Sequence, residues 1–149
     1  MSQQSSAFKR GEVRELDPEN ARAKVEFLDE DGASSFWLSV NSSLASGSGS
    51  RTYAMPEIGS QVHCLVDWRG EDGVILGASY SKKDRPPANK ATDMAGKLGG
   101  GLEYLYDKTA GTFWLKTTGP ITLQCGTSTL EIQPGQIVLK AAVIQMIKG

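Results

Sequence analysis

From Leu102 onward the chain falls into alternating apolar and polar runs a few residues long, with a turn every seven or eight positions. The runs are 102–106, 112–117, 121–125, 129–133, 136–140 and 142–147, broken at 108–111, at Gly119-Pro120, at Gly126 and at Pro134-Gly135. Successive side chains of a strand point to opposite faces. Ile121, Leu123 and Cys125 therefore face one way, as do Leu130 with Ile132 and Ile137 with Leu139, while Thr122, Gln124, Glu131 and Gln133 face the other. Each short rung reads as one layer of a β-solenoid.

Such a stretch offers one apolar face per strand and no second layer to bury it. A lone chain would leave that face wet and its strand edges unpaired. Three chains wrapped about a common axis remove both problems: the inward rows meet at the centre, each strand pairs with one from another chain, and the three-fold arrangement closes on itself. The expectation is a homotrimeric, triple-stranded β-helical stem over residues 102–149. Its core would be Ile121, Leu123, Cys125, Leu130, Ile132, Ile137 and Leu139, and six rungs at ~4.7 Å per layer would rise about 28 Å. Charge agrees, since residues 101–149 hold four Lys, no Arg and only Glu103, Asp107 and Glu131, against 12 basic and 14 acidic side chains in 1–100. The competing arrangement, in which 102–147 completes one monomeric β-sandwich with the first part, is disfavoured by the intervening Pro86-Pro87 and Gly99-Gly100-Gly101.

The first part has a different grammar. Lys9–Leu16 reads as a strand ending in the turn Asp17-Pro18-Glu19-Asn20, where Pro presets φ and Asp and Asn cap the backbone. Ala21–Leu28 is its hairpin partner, with Ala23, Val25 and Phe27 on one face and Arg22, Lys24 and Glu26 on the other. After the turn Asp29–Gly32 comes a third strand, Phe36–Val40, and then a Ser/Gly-rich surface loop over 41–51. Pro56 and Gly59 set a rigid entry to a fourth strand, Gln61–Trp68, with Val62, Cys64 and Val66 on one face. Arg69–Gly73 turns into a fifth, Val74–Tyr80, with Gly77 suited to close backbone approach and Trp37 expected to pack in the core. The fold class is all-β: a five-stranded barrel of OB type over 1–80, a linker over 81–101 with one weakly helical stretch around Asn89–Met94, and the stem.

The residues exclude several chemistries. A formal net charge of -1 supplies no basic excess, and no basic stripe is interleaved with the aromatics, so no nucleic-acid partner is expected. His63, the only histidine, has no ligand set beyond Cys64, so no metal site is read and the histidine is taken as a surface residue. Asp29, Glu30 and Asp31 fit a turn with Gly32 better than a calcium loop. Gly99-Gly100-Gly101 lacks the Lys-Ser/Thr of a phosphate loop, and no Gly-X-Ser-X-Gly elbow marks a serine hydrolase. No catalytic residue and no cofactor are assigned, and an enzyme is not expected. Cys64 and Cys125, far apart, read as free thiols of a cytosolic product. The start shows no apolar run of a signal peptide, and no apolar stretch is long enough to span a bilayer.

Gly11-Glu12-Val13, the run from Asp17-Pro18-Glu19-Asn20 to Val25, the Trp37 strand, Met55-Pro56-Glu57-Ile58-Gly59-Ser60-Gln61-Val62, and Gly73–Ser81 followed by Arg85-Pro86-Pro87 carry a resemblance over most of residues 8–88. In this ordered succession the chain resembles phage baseplate assembly protein V and the related spike proteins of contractile tails and type VI secretion; the stem matches only in grammar. The resemblance implies an OB collar attached to a tail hub protein, a homotrimeric membrane-puncturing stem, and a place in the virion baseplate after assembly in the host bacterial cytoplasm. Some of those spikes end in a His-X-His pair that binds a metal ion, and the lone His63 lies in the barrel, so that tip site is not expected. The last rung instead offers Val143, Ile144, Met146 and Ile147, an apolar distal end over 142–149 suited to a separate PAAR-like tip protein. The alternative is an OB-type oligosaccharide or nucleic-acid binding module on an oligomerising stem.

Overall fold

The computed structural model describes residues 8–28, 30–69 and 71–147; Asp29 and Gly70 of the expected turns, and Lys148 and Gly149 of the expected distal end, lie outside these. The chain is all-β and divides into two compact units, one ending at Arg85 and the next beginning at Pro86.

In the first unit, strands β1 (Phe8–Asp17), β2 (Arg22–Phe27), β3 (Leu38–Val40), β4 (Gln61–Val66) and β5 (Gly73–Ala78) close into a barrel in the order β1-β2-β3-β5-β4. Five short strands closed in this way are compatible with an OB-like barrel. The alternation in the sequence sets its inside: Ala23, Val25 and Phe27 from β2, and Val62, Cys64 and Val66 from β4, meet Val13, Leu38 and Ile75 in one buried cluster. The first turn forms as its residues suggest, with the Asp17 carboxylate accepting the Asn20 N–H at 3.2 Å. A Cβ on Gly73 would collide with the Leu65 carbonyl oxygen and sit 2.8 Å from Val66 Cα, so the start of β5 requires glycine.

One local expectation is corrected. Trp37 does not pack in the core; its neighbour Leu38 takes that place, and the indole lies partly exposed with the Lys24 ammonium 4.8 Å from the ring centroid. Strand parity is the reason, because Leu38 pairs with core residue Ala23 and must share its face. The Ser/Gly-rich loop lies on the surface, where the Thr52 N–H donates to the Leu44 carbonyl at 2.9 Å and the Ser42 hydroxyl reaches the carbonyls of Leu44 and Thr52 at 3.0 Å.

In the second unit, β6 (Asp93–Leu98), β7 (Leu102–Asp107) and β8 (Thr112–Lys116) form one antiparallel sheet, and β9 (Ile121–Cys125), β10 (Ser128–Gln133) and β11 (Gln136–Lys140) form another. Strand β6 lies inside the stretch expected to be linker and replaces the helical turn expected near Asn89–Met94. Residues Asp93 to Leu98 pair one for one with Asp107 to Leu102.

The pairing also corrects the expectation that each stem strand pairs with a strand from another chain. Cys125 pairs with Ser128 across the two residues Gly126 and Thr127, and Gln133 pairs with Gln136 across Pro134 and Gly135. Connections this short fold each strand back onto its own predecessor. The central strands β7 and β10 thus have both edges occupied within the chain. The expected sixth rung, 142–147, is not a strand. After β11 the chain reads Lys140-Ala141-Ala142, with none of the Gly, Pro or Asn residues that reverse it elsewhere.

Candidate functional site

In the β9–β11 sheet, direct cross-strand partners share a face. Leu123, Leu130 and Leu139 form one row across the three strands, and Ile121, Ile132 and Ile137 form the next. Cys125 continues the same face on β9, opposite Ser128. All seven residues read from the sequence as stem core are therefore brought onto one side of one sheet. Several are left uncovered there: Leu123, Leu139 and Ile137 are 61%, 56% and 69% exposed, while Ile121 and Leu130 are half-buried. The opposite side carries the rows Thr122–Glu131–Val138 and Gln124–Thr129–Lys140.

The β6–β8 sheet repeats this polarity with aromatic residues. Met94, Tyr106 and Phe113 form one row, Gly96, Tyr104 and Leu115 the next, and Leu98 faces Leu102. Tyr104 lies across Gly96 so closely that a Cβ there would run into its ring. The reverse side carries Lys97–Glu103–Lys116 and Asp93–Asp107–Thr112 around an Ala95–Leu105–Trp114 row. Sequence reasoning missed Met94 and Leu98 as part of an apolar face. Their two-residue spacing with Gly96 was the available signal, masked by the neighbouring Pro-Pro and Gly runs.

The consequence is unusual for a folded unit. Among the described residues beyond Arg85, none is buried, whereas every member of the hydrophobic core lies between Val13 and Ile75. Two half-apolar sheets without an interior cannot offset the conformational entropy of ordering their chain by internal packing.

The expected tip residues are placed differently from one another. Val143 and Ile144 join Leu123, Leu130 and Leu139 around a groove of about 360 Å³, at 71% and 55% exposure, while Met146 and Ile147 stand in solvent.

The barrel's outer surface is laced by ion pairs. Across β1 and β2, Arg14 Nε donates to Glu26 Oε2 at 2.6 Å and its Nη1 to Glu12 Oε1 at 2.8 Å. Lys24 pairs with Glu15 at 3.1 Å and Arg22 with Asp17 at 3.5 Å. These cations are engaged within the chain and form no free basic track. His63 stacks on Phe8 with ring centroids 5.4 Å apart. Among the described residues no group of three or more His, Cys, Asp or Glu side chains is placed to hold a metal ion.

Cys64 and Asp107 are both displaced from their ordinary ranges. Burial in the barrel core pushes the Cys64 thiol up to about 11. Backbone N–H donors of Ala110 and Thr109, at 3.0 and 2.8 Å, hold the Asp107 carboxyl below the usual range.

A scan against protein-family models finds no match for this chain, and a search of curated protein sequences finds none either.

Proposed function

We propose that this chain is the structural central spike of a contractile-tail baseplate and works as a homotrimer. The observation that carries this reading is a second unit with no buried residue among its described ones and two sheets that leave apolar rows exposed. Exposed aliphatic and aromatic rows of this extent mark an obligate partner surface. Copies of the same chain supply identical apolar rows, and three-fold closure buries them at an axis without leaving an open end for further growth. The short hairpins refine the arrangement: each chain contributes ready-made three-stranded sheets to a β-helical prism, in place of single interleaved strands.

In this reading the barrel is the collar that attaches to the tail hub protein. The stem transmits the thrust of sheath contraction into the target envelope, and the apolar segment around Val143 and Ile144 receives a separate tip protein. The role is mechanical, and no residue is assigned to catalysis. The resemblance of residues 8–88 to baseplate assembly protein V supports the spike over a free-standing binding module. So does the intramolecular pairing of Arg14, Arg22 and Lys24.

The experiment is localisation. A tagged chain should cofractionate with intact contractile particles and label the axis of the baseplate. Complete particles with all of the tagged chain left in the soluble fraction would overturn the assignment.

A further inference from the structure

At the end of the barrel where β4 begins and β5 finishes, Ser60, Gln61, Ala78, Ser79, Tyr80 and Asp84 line a cavity of about 290 Å³. Its framework is fixed by the backbone: the Ser79 N–H donates to the Gln61 carbonyl at 3.1 Å and the Ser60 N–H to the Glu57 carbonyl at 3.0 Å. A tight turn holds Asp84 in place. The Ser81 N–H donates to the Asp84 carbonyl at 2.9 Å, and the Ser81 hydroxyl accepts the Asp84 N–H at 3.0 Å. The side chains around the cavity lack such partners. Those of Ser60, Gln61, Ser79 and Tyr80 make no hydrogen bond among the described residues, although Ser60, Gln61 and Ser79 are half-buried. The Asp84 carboxylate joins no ion pair among the described residues and receives only the Ser81 hydroxyl, at 3.4 Å.

We infer that this cavity is a binding site for one uncharged pyranose ring, the end sugar of a neutral glycan. The inference goes beyond the spike reading and does not depend on it. Hydroxyls, a carboxamide and a carboxylate present donors and acceptors together, which matches a polyol, whose every hydroxyl both donates and accepts. A sugar ring also has a C–H face suited to an aromatic side chain, and Tyr80, 67% exposed, offers one beside these polar groups. Other ligand classes fit less well. A phosphate would meet the Asp84 carboxylate and no cation, because the neighbouring Lys82, Lys83 and Arg85 do not line the cavity. An apolar ligand would strand the polar side chains around it. The volume lies just under the usual range for small-molecule sites, roughly 300–1,000 Å³, so the cavity takes a single ring and not a chain of them.

The test is saturation-transfer NMR of the full chain with the methyl glycosides of glucose, galactose and mannose and with N-acetylglucosamine, each alone. One or more of these should bind with a Kd on the order of millimolar, as expected for a ligand of so few atoms. Tyr80→Ala and Asp84→Asn should each weaken that binding by about tenfold, while the thermal unfolding of the barrel is unchanged. If Asp84→Asn does not fold, the exposed Tyr80→Ala decides alone. Trp68→Ala, which removes an exposed aromatic ring beyond the far end of β4, should leave the affinity as in the wild type. Absence of saturation transfer to every one of these sugars would overturn the inference. So would an affinity that Trp68→Ala lowers as much as Tyr80→Ala, or displacement of the sugar by equimolar inorganic phosphate.

Discussion

Leu130 lies directly opposite Leu123 on one side and Leu139 on the other, a row whose two outer members are more than half exposed. Whether the row is buried against other copies of the chain decides what the second unit is. If the row is axial, aspartate at Leu123 or Leu139 places three like charges in a desolvated core, where burying even one unpaired charge costs several kcal/mol. Either variant should reduce the protein to monomers at micromolar concentration while the barrel stays folded. A soluble, intact trimer from either one contradicts the inward placement.

The two thiols give an independent readout. Cys64 is buried and its thiol titrates near 11, so it should resist a thiol reagent at pH 8 until the barrel unfolds. Cys125 is exposed in the single chain and should be shielded only when the β9–β11 face is covered. One thiol per chain should therefore react in Leu139→Asp and none in the native wild type. One fast thiol per chain in the wild type would mean that the face is open.

Gly96 and Tyr104 test the aromatic sheet. Gly96→Ala puts a methyl where the Tyr104 ring lies, and the half-buried ring must shift, at a cost of about 1 kcal/mol, the low end for overpacking. The loss should appear in the unfolding of the stem and leave the barrel transition unchanged. Combining it with Tyr104→Ala should give a strongly non-additive cycle, because the second change removes the collision. Additive effects would show that the two residues do not share this contact.

Much of this was legible in the sequence because strand alternation and turn residues are local signals. Val62, Cys64 and Val66 were readable as one face, and so were Ile121, Leu123 and Cys125, from period two alone. What was not legible depended on which strand a residue would pair with. Trp37 loses the core to Leu38 through its register with Ala23, which no local pattern specifies. Strand β6 was hidden because Gly96 weakens the apparent run, yet it is Gly96 that lets Tyr104 lie flat. The direct hairpins of the second sheet follow from Gly126-Thr127 and Pro134-Gly135; these breaks are visible in the sequence, but whether the next strand returns beside its predecessor or starts a new layer is not.

Asp107 sets an acid limit on the β7–β8 turn. Its pKa is lower in the folded chain than in the unfolded one, chiefly through the Ala110 N–H, so its contribution is fully present above the unfolded value near 3.8 and is lost as pH falls through the folded one. Asp107→Asn should therefore flatten part of the loss of stem stability below about pH 4. An unchanged acid profile in the variant would show that the carboxylate does not anchor the turn.

The mass of the full-length chain in solution tests the central claim most directly. Sedimentation equilibrium at micromolar concentration should return three times the 16.0 kDa chain, with no dissociation on dilution short of unfolding. A stable species at 16.0 kDa, folded and soluble with Leu123 and Leu139 exposed, would contradict it.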